Sequence, residues 1–337
     1  MKKITLKDLS EAIGVSQNTV SLVLRGRPGI SEATREQILN KAREMGYHER
    51  QKDCHMPNVC VLTTYKNNID SYYFGRLQNR IEYYLNKNKC TTITVNNVET
   101  YSLEAIQDLC QANDIQGLIV VADVGRRMME QLEELNIPLL CAGFYVPGMA
   151  ADSVMEDNII GMSLLMDQLK ERGIKDAGFI GSIHTDQGFF ERWMTASAMG
   201  NKLNIVIKTE HCILNMSYEQ LGNLREMAEV LGNIESLPEA FICANDKIAM
   251  TVIKALQQNG KWIPQDISVV GFDNCDLAML STPTIATVDN FLDKQARSAV
   301  CRLLRILKEP QLPHERILCS TEFVDGESLR KRQPHLP

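Results

Sequence analysis

The first 47 residues constrain what this chain can fold into more than any other stretch. Thr5, Ser16 and Ser31 are residue types that cap helices, and each precedes a segment with apolar residues at helical spacing. Gly14 lies where the chain must turn sharply, and Gly46 stands where a third helix would end. The pattern predicts three short helices with a tight turn between the first two.

The second predicted helix has two different faces. Val20, Val23 and Leu24 share one face and should pack on Leu9 and Ile13 of the first helix. The other face begins with amides that can pair with adenine in the major groove, and it carries hydroxyls that can reach phosphates. The residues predicted to bind DNA are Thr5, Ser16, Gln17, Asn18, Thr19, Ser21, Leu22 and Arg25. A small helical bundle without a DNA-binding role is the alternative.

Length and charge agree with a DNA-binding module attached to a larger body. A chain of 337 residues is typical of two or three domains. The formal net charge is −6, but residues 1–58 carry 10 Lys/Arg against 7 Asp/Glu, which leaves −9 for the remainder. A positive head on an acidic body suits DNA binding by the head.

Cysteine usage and hydropathy indicate a cytoplasmic protein without a metal site. The ten cysteines form no C-x-x-C pair and no cluster with histidine, so we expect small buried side chains in a reducing compartment. Met1-Lys2-Lys3 leads into an amphipathic segment and not into the apolar run of a signal peptide. No apolar run is long enough to span a bilayer.

From residue 58 onward, short β-rich runs alternate with amphipathic segments. The predicted strands are Val59–Thr63, Thr91–Asn96, Leu118–Val121, Leu139–Ala142, Gly178–Ile180, Phe241–Cys243 and Ser268–Gly271. The predicted helices are Phe74–Asn86, Leu103–Ala112, Arg127–Leu135, Met162–Arg172, Tyr218–Leu231, Lys247–Asn259 and Leu292–Leu307. Such alternation predicts parallel sheets with helices on both faces, and the number of strands favours two sheets.

The N-terminal segment resembles the headpiece of the lac/gal repressor family of bacterial transcription regulators. The matching strings are Thr5-Leu-Lys-Asp-Leu, Gly14-Val-Ser, Thr19-Val-Ser, Arg27-Pro-Gly-Ile-Ser and Gly46-Tyr47. The resemblance continues weakly to about Gly326. It implies a homodimer in which each helix-turn-helix headpiece reads half of a roughly palindromic double-stranded DNA operator, while a C-terminal domain senses a small-molecule effector.

The rest of the chain resembles the periplasmic-binding-protein-like type I fold, in which three crossover strands join two doubly wound lobes. The motifs that carry this are Ile115-Gln-Gly117, Ile137-Pro138, Asp157-Asn158-x-x-Gly161, Gly178-Phe-Ile-Gly181, Ala244-Asn245-Asp246, Ile263 to Asp273, and Thr282 to Val288. The implied domains are an all-α headpiece (1–47), a shortened hinge (48–57) and an α/β core (58–330). Lobe 1 would comprise about 58–157 and 289–316, and lobe 2 about 158–288 and 317–330.

The family resemblance also implies which residues contact the effector, in a cleft at the carboxyl ends of the strands. Arg192 would donate paired hydrogen bonds to the ligand, while Asn245 and Asp273 would fix its hydroxyl groups. Phe74 or Tyr72 would stack on the ligand from lobe 1. Alternatively, Asp273 caps a helix or turn and Arg192 forms a surface ion pair. For the adjacent pair we expect Asn245 in the cleft and Asp246 as the helix cap.

The chain departs from the family pattern in three places. Leu22 replaces an arginine that reads guanine in many members, which favours contact with a thymine methyl group. Residues 48–57 lack the family's Ala-x-x-Leu, so Met56 is the one candidate for a minor-groove wedge and we expect a flexible tether. Asn215-Met216 stand where an aromatic residue would stack on a sugar.

These observations together predict a ligand-responsive, sequence-specific transcription repressor of genes for sugars or other carbon sources. The alternatives are a solute-binding protein of a transport system, a regulator with an impaired headpiece, and an enzyme on a Rossmann-like body. The motifs G-x-G-x-x-G, Walker A, H-E-x-x-H and G-x-S-x-G are absent from the sequence. We therefore predict no catalytic residue, no cofactor and no metal.

Overall fold

The computed structural model describes residues 6–24, 30–45, 57–64 and 70–332. The chain divides into two compact units, Met1–Met56 and Pro57–Pro337. Thr5, Arg25 and the predicted hinge apart from Pro57 lie outside the described residues.

The N-terminal unit contains helices α1 (Leu6–Ile13), α2 (Gln17–Leu24) and α3 (Glu32–Glu44), which confirms the three predicted helices. Gly14 has a φ of 78°, a left-handed conformation that glycine adopts without a steric penalty. The hydroxyl of Ser16 accepts a hydrogen bond from the Thr19 N–H at 3.0 Å and caps α2. Ser31 does the same for α3 at 3.3 Å from Thr34 N.

A small apolar core holds these three helices together. Leu9 of α1 and Val20 and Val23 of α2 are buried with Ile38 of α3, and Ile13 packs against the cluster. The predicted packing of Val20 and Val23 on α1 is therefore confirmed. The apolar face of α2 is buried in this core, so the opposite face of the helix can contact other molecules.

Strands and helices alternate along most of the second unit. Its helices are α4 (Asp70–Lys87), α5 (Leu103–Ala112), α6 (Arg126–Glu134), α7 (Asn158–Glu171), α8 (Gln187–Leu203), α9 (Tyr218–Leu221), α10 (Leu224–Gly232), α11 (Asp246–Gln258), α12 (Asp276–Leu280) and α13 (Leu292–Lys308). Its strands are β1 (Asn58–Thr63), β2 (Thr91–Asn96), β3 (Ile115–Val121), β4 (Leu139–Ala142), β5 (Asp152–Glu156), β6 (Asp176–Ile180), β7 (Val206–Ile207), β8 (Ala240–Cys243), β9 (Ser268–Val270), β10 (Thr287–Asp289), β11 (Arg316–Cys319) and β12 (Glu322–Val324).

Two parallel sheets organise this unit, as predicted. Lobe 1 contains a six-stranded sheet in the order β11-β5-β4-β3-β1-β2, and lobe 2 contains a four-stranded sheet in the order β7-β6-β8-β9. The central strands β3 and β8 are almost wholly buried because helices cover both faces of each sheet. The remaining pair, β10 and β12, is antiparallel.

The chain passes between the lobes three times. The passages follow β5, follow β10 and separate β11 from β12, and they correspond to the three predicted crossovers. Strand β11 pairs with β5 in the first sheet, with Arg316 opposite Ser153. The lobe boundary that we placed between 316 and 317 therefore falls inside a strand of lobe 1.

Helix α8 was not predicted, because its buried face is not uniformly apolar. The buried positions are Phe189, Arg192, Ala196 and Gly200, which are spaced like one helical face but include a charged residue and a glycine. The predicted helix over 218–231 is divided into α9 and α10. The helix is interrupted at Asn223. The side-chain oxygen of this residue accepts hydrogen bonds from the backbone N–H groups of Arg225 and Glu226 and caps α10.

Seven of the nine cysteines in the described ranges are buried: Cys60, Cys90, Cys110, Cys141, Cys243, Cys275 and Cys319. All nine are free thiols. Most cysteines in these ranges therefore pack as small apolar side chains, as predicted.

Gly161 in α7 brings that helix close to the core of lobe 2. A Cβ atom at Gly161 would lie 2.7 Å from Cζ of Phe272, a ring that is fully buried. The Arg192 guanidinium lies 3.8 Å above the same ring and holds it in place. Asp157 begins the helix by accepting the Ile160 N–H at 2.9 Å. The Asp157-Asn158-x-x-Gly161 motif thus starts a helix and lets it approach Phe272.

We predict that Gly161→Ala destabilises the second unit, although the same change stabilises most helices by up to about 1 kcal/mol. The added methyl group overpacks the core against Phe272, which should lower the free energy of unfolding by about 1–3 kcal/mol. Urea unfolding followed by the fluorescence of Trp193 and Trp262, the two tryptophans, measures this. Gly232→Ala in α10 is the control, because its Cβ would meet Asn259 at an ordinary 3.5 Å. Unchanged or greater stability of Gly161→Ala would contradict the prediction.

Candidate functional site

The first candidate site is the N-terminal end of α2. Ser16 and Gln17 are exposed there, while Thr19 is half-buried and its hydroxyl lies 2.9 Å from that of Ser16. Ser16 therefore caps the helix. Gln17, whose amide was predicted to read bases, is exposed beside it. The side chains of Asn18, Ser21 and Leu22, and the whole of Thr5 and Arg25, lie outside the described part of the chain.

The second candidate site is a cavity of ≈ 350 Å³ between the lobes. It lies where the carboxyl ends of both parallel sheets meet, which is the usual ligand position in doubly wound folds. From lobe 1 it is lined by Thr64, Tyr73, Phe74, Ala122, Asp123, Gly143, Phe144 and Glu156. From lobe 2 it is lined by Thr185, Asp186, Gln187, Gly188, Phe189, Arg192, Tyr218, Asn245 and Asp273.

Helix α4 supplies the aromatic part of the wall. Phe74 lines the cavity, and Tyr73 lies edge-on against it with ring centroids 4.9 Å apart. Tyr72 is not among the described lining residues. The guanidinium carbon of Arg76 lies 5.8 Å from the centroid of its ring. Each residue of a helix is rotated by about 100° from the one before it. Tyr72 and Phe74 are two residues apart and therefore point to nearly opposite sides of α4. Of the two predicted stacking residues, the geometry supports Phe74.

Arg192 is buried in the cavity wall, and each of its three nitrogens donates to an acceptor of the protein. Its Nε donates to Asn158 Oδ1 at 2.7 Å, and Nη1 donates to the carbonyl of Ala244 at 2.7 Å. Its Nη2 donates to Glu156 Oε1 at 2.9 Å and lies 3.5 Å from Asp273 Oδ1. The alternative of a surface ion pair is wrong, because only 4% of the Arg192 side chain is exposed. The paired donation from Arg192 to a ligand stays a prediction; in this structure the three nitrogens donate to acceptors of the chain.

Asp273 lies just beyond the end of β9 and faces Arg192. Its Oδ1 accepts a hydrogen bond from Asn290 Nδ2 at 3.1 Å. Burial raises the pKa of the Asp273 carboxyl well above its ordinary value; Arg192 opposes this rise, while Asp246 and Glu156 add to it. The carboxyl thus belongs to the cavity wall, and the alternative of a helix cap does not apply.

Asn245 lies in the cavity lining, where we placed it, and it also takes the capping role that we predicted for Asp246. Asn245 Oδ1 accepts the Ile248 N–H at 2.9 Å, so Asn245 caps α11 while also lining the cavity. Asp246 points inward; its carboxylate accepts from Cys275 N at 2.8 Å and from the Thr287 hydroxyl at 2.5 Å. The prediction that Asp246 caps the helix is wrong, because the residue before the first helical turn is Asn245.

Sequence reasoning did not identify Tyr73, Asp123, Glu156 or Asp186 as lining residues. Glu156 is the most informative omission, since it contacts both Arg192 and the Tyr73 hydroxyl, which donates to Glu156 Oε2 at 2.8 Å. The signal for it was its position immediately before the Asp157-Asn158-x-x-Gly161 motif, at the end of a strand. Polar residues at such ends are the ones that face a ligand.

The described ranges contain no group of three or more His, Cys, Asp or Glu side chains placed to hold a metal ion. They also contain no helix with both the length and the apolar character needed to cross a membrane.

Two family models match the chain, one for each unit. Residues 5–49 match "Bacterial regulatory proteins, lacI family", and residues 166–329 match "Periplasmic binding protein-like domain". A helix-turn-helix headpiece joined to a two-lobed binding core defines a DNA-binding transcription regulator. The chain thus carries a lacI-family DNA-binding domain followed by a periplasmic binding protein-like domain.

Known relatives are similar over nearly the whole chain. The "Probable HTH-type transcriptional repressor ExuR" of Bacillus subtilis (strain 168) is 25% identical over 97% of this chain and 99% of its own length. The "Ribose operon repressor" of Haemophilus influenzae is 23% identical over 96% and 98%. The lac repressor dimer bound to operator has the same fold, with a TM-score of 0.69 at 19% identity over 98% of this chain and 100% of that one.

We predict that Asp246 makes the stability of the second unit depend on pH. Burial raises the pKa of this carboxyl from 3.8 to about 7 in the folded chain. The folded state therefore binds more protons than the unfolded state between these values, so the free energy of unfolding should fall as pH rises from about 4 to about 7. Urea unfolding at stepped pH measures the slope, which should flatten in Asp246→Asn. The exposed Asp108→Asn is the control, and equal slopes in all three proteins would contradict the prediction.

Proposed function

We propose that this protein is a repressor whose binding to operator DNA is controlled by a small polyhydroxylated effector in the cavity between its lobes. The observation that carries this proposal is the cavity itself, because polar side chains from both lobes converge there at the carboxyl ends of two parallel sheets. Its volume of ≈ 350 Å³ lies within the range of small-molecule sites.

The lining favours a ring that carries hydroxyl groups. Phe74 and Phe144 offer apolar surface, while Asp123 and Asp273 offer carboxylate oxygens that accept hydrogen bonds from hydroxyls. Thr64 adds a buried hydroxyl that has no hydrogen-bond partner in the described structure. Structure neighbours support a sugar, since one is titled as a complex with cellobiose and another as holding bound ribose.

An effector that touches both lobes can favour one arrangement of the lobes over another. We infer that this change alters operator binding by a cytoplasmic homodimer, in which each headpiece reads one half of a roughly palindromic site. The lac repressor neighbour is titled as a dimer on its operator, and the relatives are named as regulators and not as enzymes. We retain the proposed division of the chain into headpiece, hinge and core.

The DNA-binding prediction concerns Gln17, which is exposed at the start of α2. Replacing Gln17 by Ala should cost about 1–3 kcal/mol on the specific operator and little on random DNA, because a base-edge contact is lost. Gel shifts on fragments near the protein's own gene, with and without competitor DNA, measure both. Equal losses on the two DNAs would show that Gln17 only positions the backbone. Asn88→Ala, in the second unit, is a matched control for removing an amide side chain.

The effector prediction concerns Asp273. Asp273→Asn should weaken binding of the effector by about 1–3 kcal/mol or more, because a hydroxyl group of the ligand loses a charged acceptor in a buried site. A thermal-shift screen of sugars, sugar phosphates, nucleosides and amino acids finds the ligand, since bound ligand raises apparent stability. Calorimetry then compares the variant with wild type, with Asp108→Asn as the control. Unchanged affinity would contradict a role for Asp273 in binding.

A further inference from the structure

Glu156 is a buried carboxylate at the end of β5, in the wall of the cavity. Both of its oxygens accept hydrogen bonds. Oε1 accepts from Arg192 Nη2 at 2.9 Å, and Oε2 accepts from the Tyr73 hydroxyl at 2.8 Å. The carboxylate is therefore fixed in one orientation, directed at the guanidinium.

Arg192 is the group in the described wall that would attract an acidic ligand. Its Nε and Nη1 are directed to Asn158 and to the backbone of Ala244. Its Nη2 faces Glu156 at 2.9 Å and Asp273 at 3.5 Å. Two carboxyl groups of this chain therefore already face the guanidinium, and each of its nitrogens has a partner in the protein.

Helix N-termini provide a second attraction for anions, and here they are also occupied. Helix α8 begins at the cavity, where its backbone N–H groups carry partial positive charge. Asp186 accepts the Phe189 N–H at 2.7 Å and so places a carboxylate at that end. Asp123 likewise accepts the Gly125 N–H at 2.7 Å, just before α6. The described lining thus contains four carboxyl groups, Asp123, Glu156, Asp186 and Asp273, and one guanidinium, Arg192.

From this arrangement we propose that Glu156 determines the charge selectivity of the cavity, so that neutral polyols bind and their acidic counterparts are rejected. The inference rests on the proposed function of the cavity. An acid would bring a further carboxylate beside Glu156 in a partly enclosed site, where the surrounding protein screens repulsion poorly. It would also have to compete with Glu156 and Asp273 for the Nη2 N–H groups of Arg192 in order to form a bidentate contact.

The test compares neutral sugars with their acids in the full-length protein. Glucose and galactose are matched with glucuronate and galacturonate, which carry a carboxylate in place of a hydroxymethyl group. Calorimetry should show that the wild type binds the neutral members at least about tenfold more tightly than the acids. Glu156→Gln keeps the size of the side chain and its acceptor oxygen but removes the charge. It should bind the acids at least about tenfold more tightly than the wild type does.

Two control variants separate charge from packing. Tyr73→Phe removes a hydrogen bond to Glu156 but leaves its charge, so rejection of the acids should persist. Glu191→Gln makes the same chemical change at a carboxylate that bonds to Arg316 and Asn158 and does not line the cavity, so it should not gain acid binding. Circular dichroism and thermal unfolding check that each variant is folded.

The outcomes distinguish this inference from the proposed function. If wild type and Glu156→Gln bind the acids equally, or if neither binds them, Glu156 does not select by charge and the inference is wrong. If Glu156→Gln gains acid binding while no neutral polyol in a thermal-shift panel binds the wild type, the selectivity is supported and the polyol effector is refuted.

Discussion

The buried guanidinium of Arg192 is the interaction on which the cavity depends. An ionised side chain that is 4% exposed is stable only if nearby groups replace the water it has lost. Glu156 supplies a charge from lobe 1, Asp273 supplies one from lobe 2, and Phe272 packs against the plane of the guanidinium at 3.8 Å. Removing Arg192 would leave the buried Glu156 without its positively charged partner, which typically costs several kcal/mol. The lobes are therefore joined by charge as well as by backbone.

The second lobe is built so that this charge network meets the crossover segments. Asp246 accepts hydrogen bonds from the Thr287 hydroxyl in β10 and from the backbone N–H of Cys275. These two bonds connect helix α11 with the segment that leads to α13. Asp273 pairs its backbone with Val288 and its side chain with Asn290. A ligand that contacts Asp273 would therefore contact a residue that is hydrogen-bonded to Val288 and Asn290, where the chain passes between the lobes. This proximity gives the proposed effector a direct route to the relative position of the two lobes.

Sequence patterns predicted the parts of this protein in which local chemistry decides the structure. Helix caps at Ser16 and Ser31 and the apolar strands of both sheets follow from residue type and spacing. Helix α8 did not follow, because Arg192 occupies its buried face and can be recognised as buried only when its distant partners are known. The wrong choice of Asp246 as the cap of α11 has a similar cause, since both Asn245 and Asp246 can cap a helix and a tertiary contact with Thr287 decides between them.

The shortness of the crossovers limits how the lobes can move. One residue separates β5 from α7, and two residues separate β10 from α13 and β11 from β12. Such segments cannot lengthen, so the lobes cannot slide apart; they can only rotate about a few backbone torsions. Because β10 and β12 are also hydrogen-bonded to each other, two of the three passages must turn together. We therefore expect the two lobes to move mainly by one rotation about the crossover segments. A ligand that spans the cavity would act on the angle between the lobes.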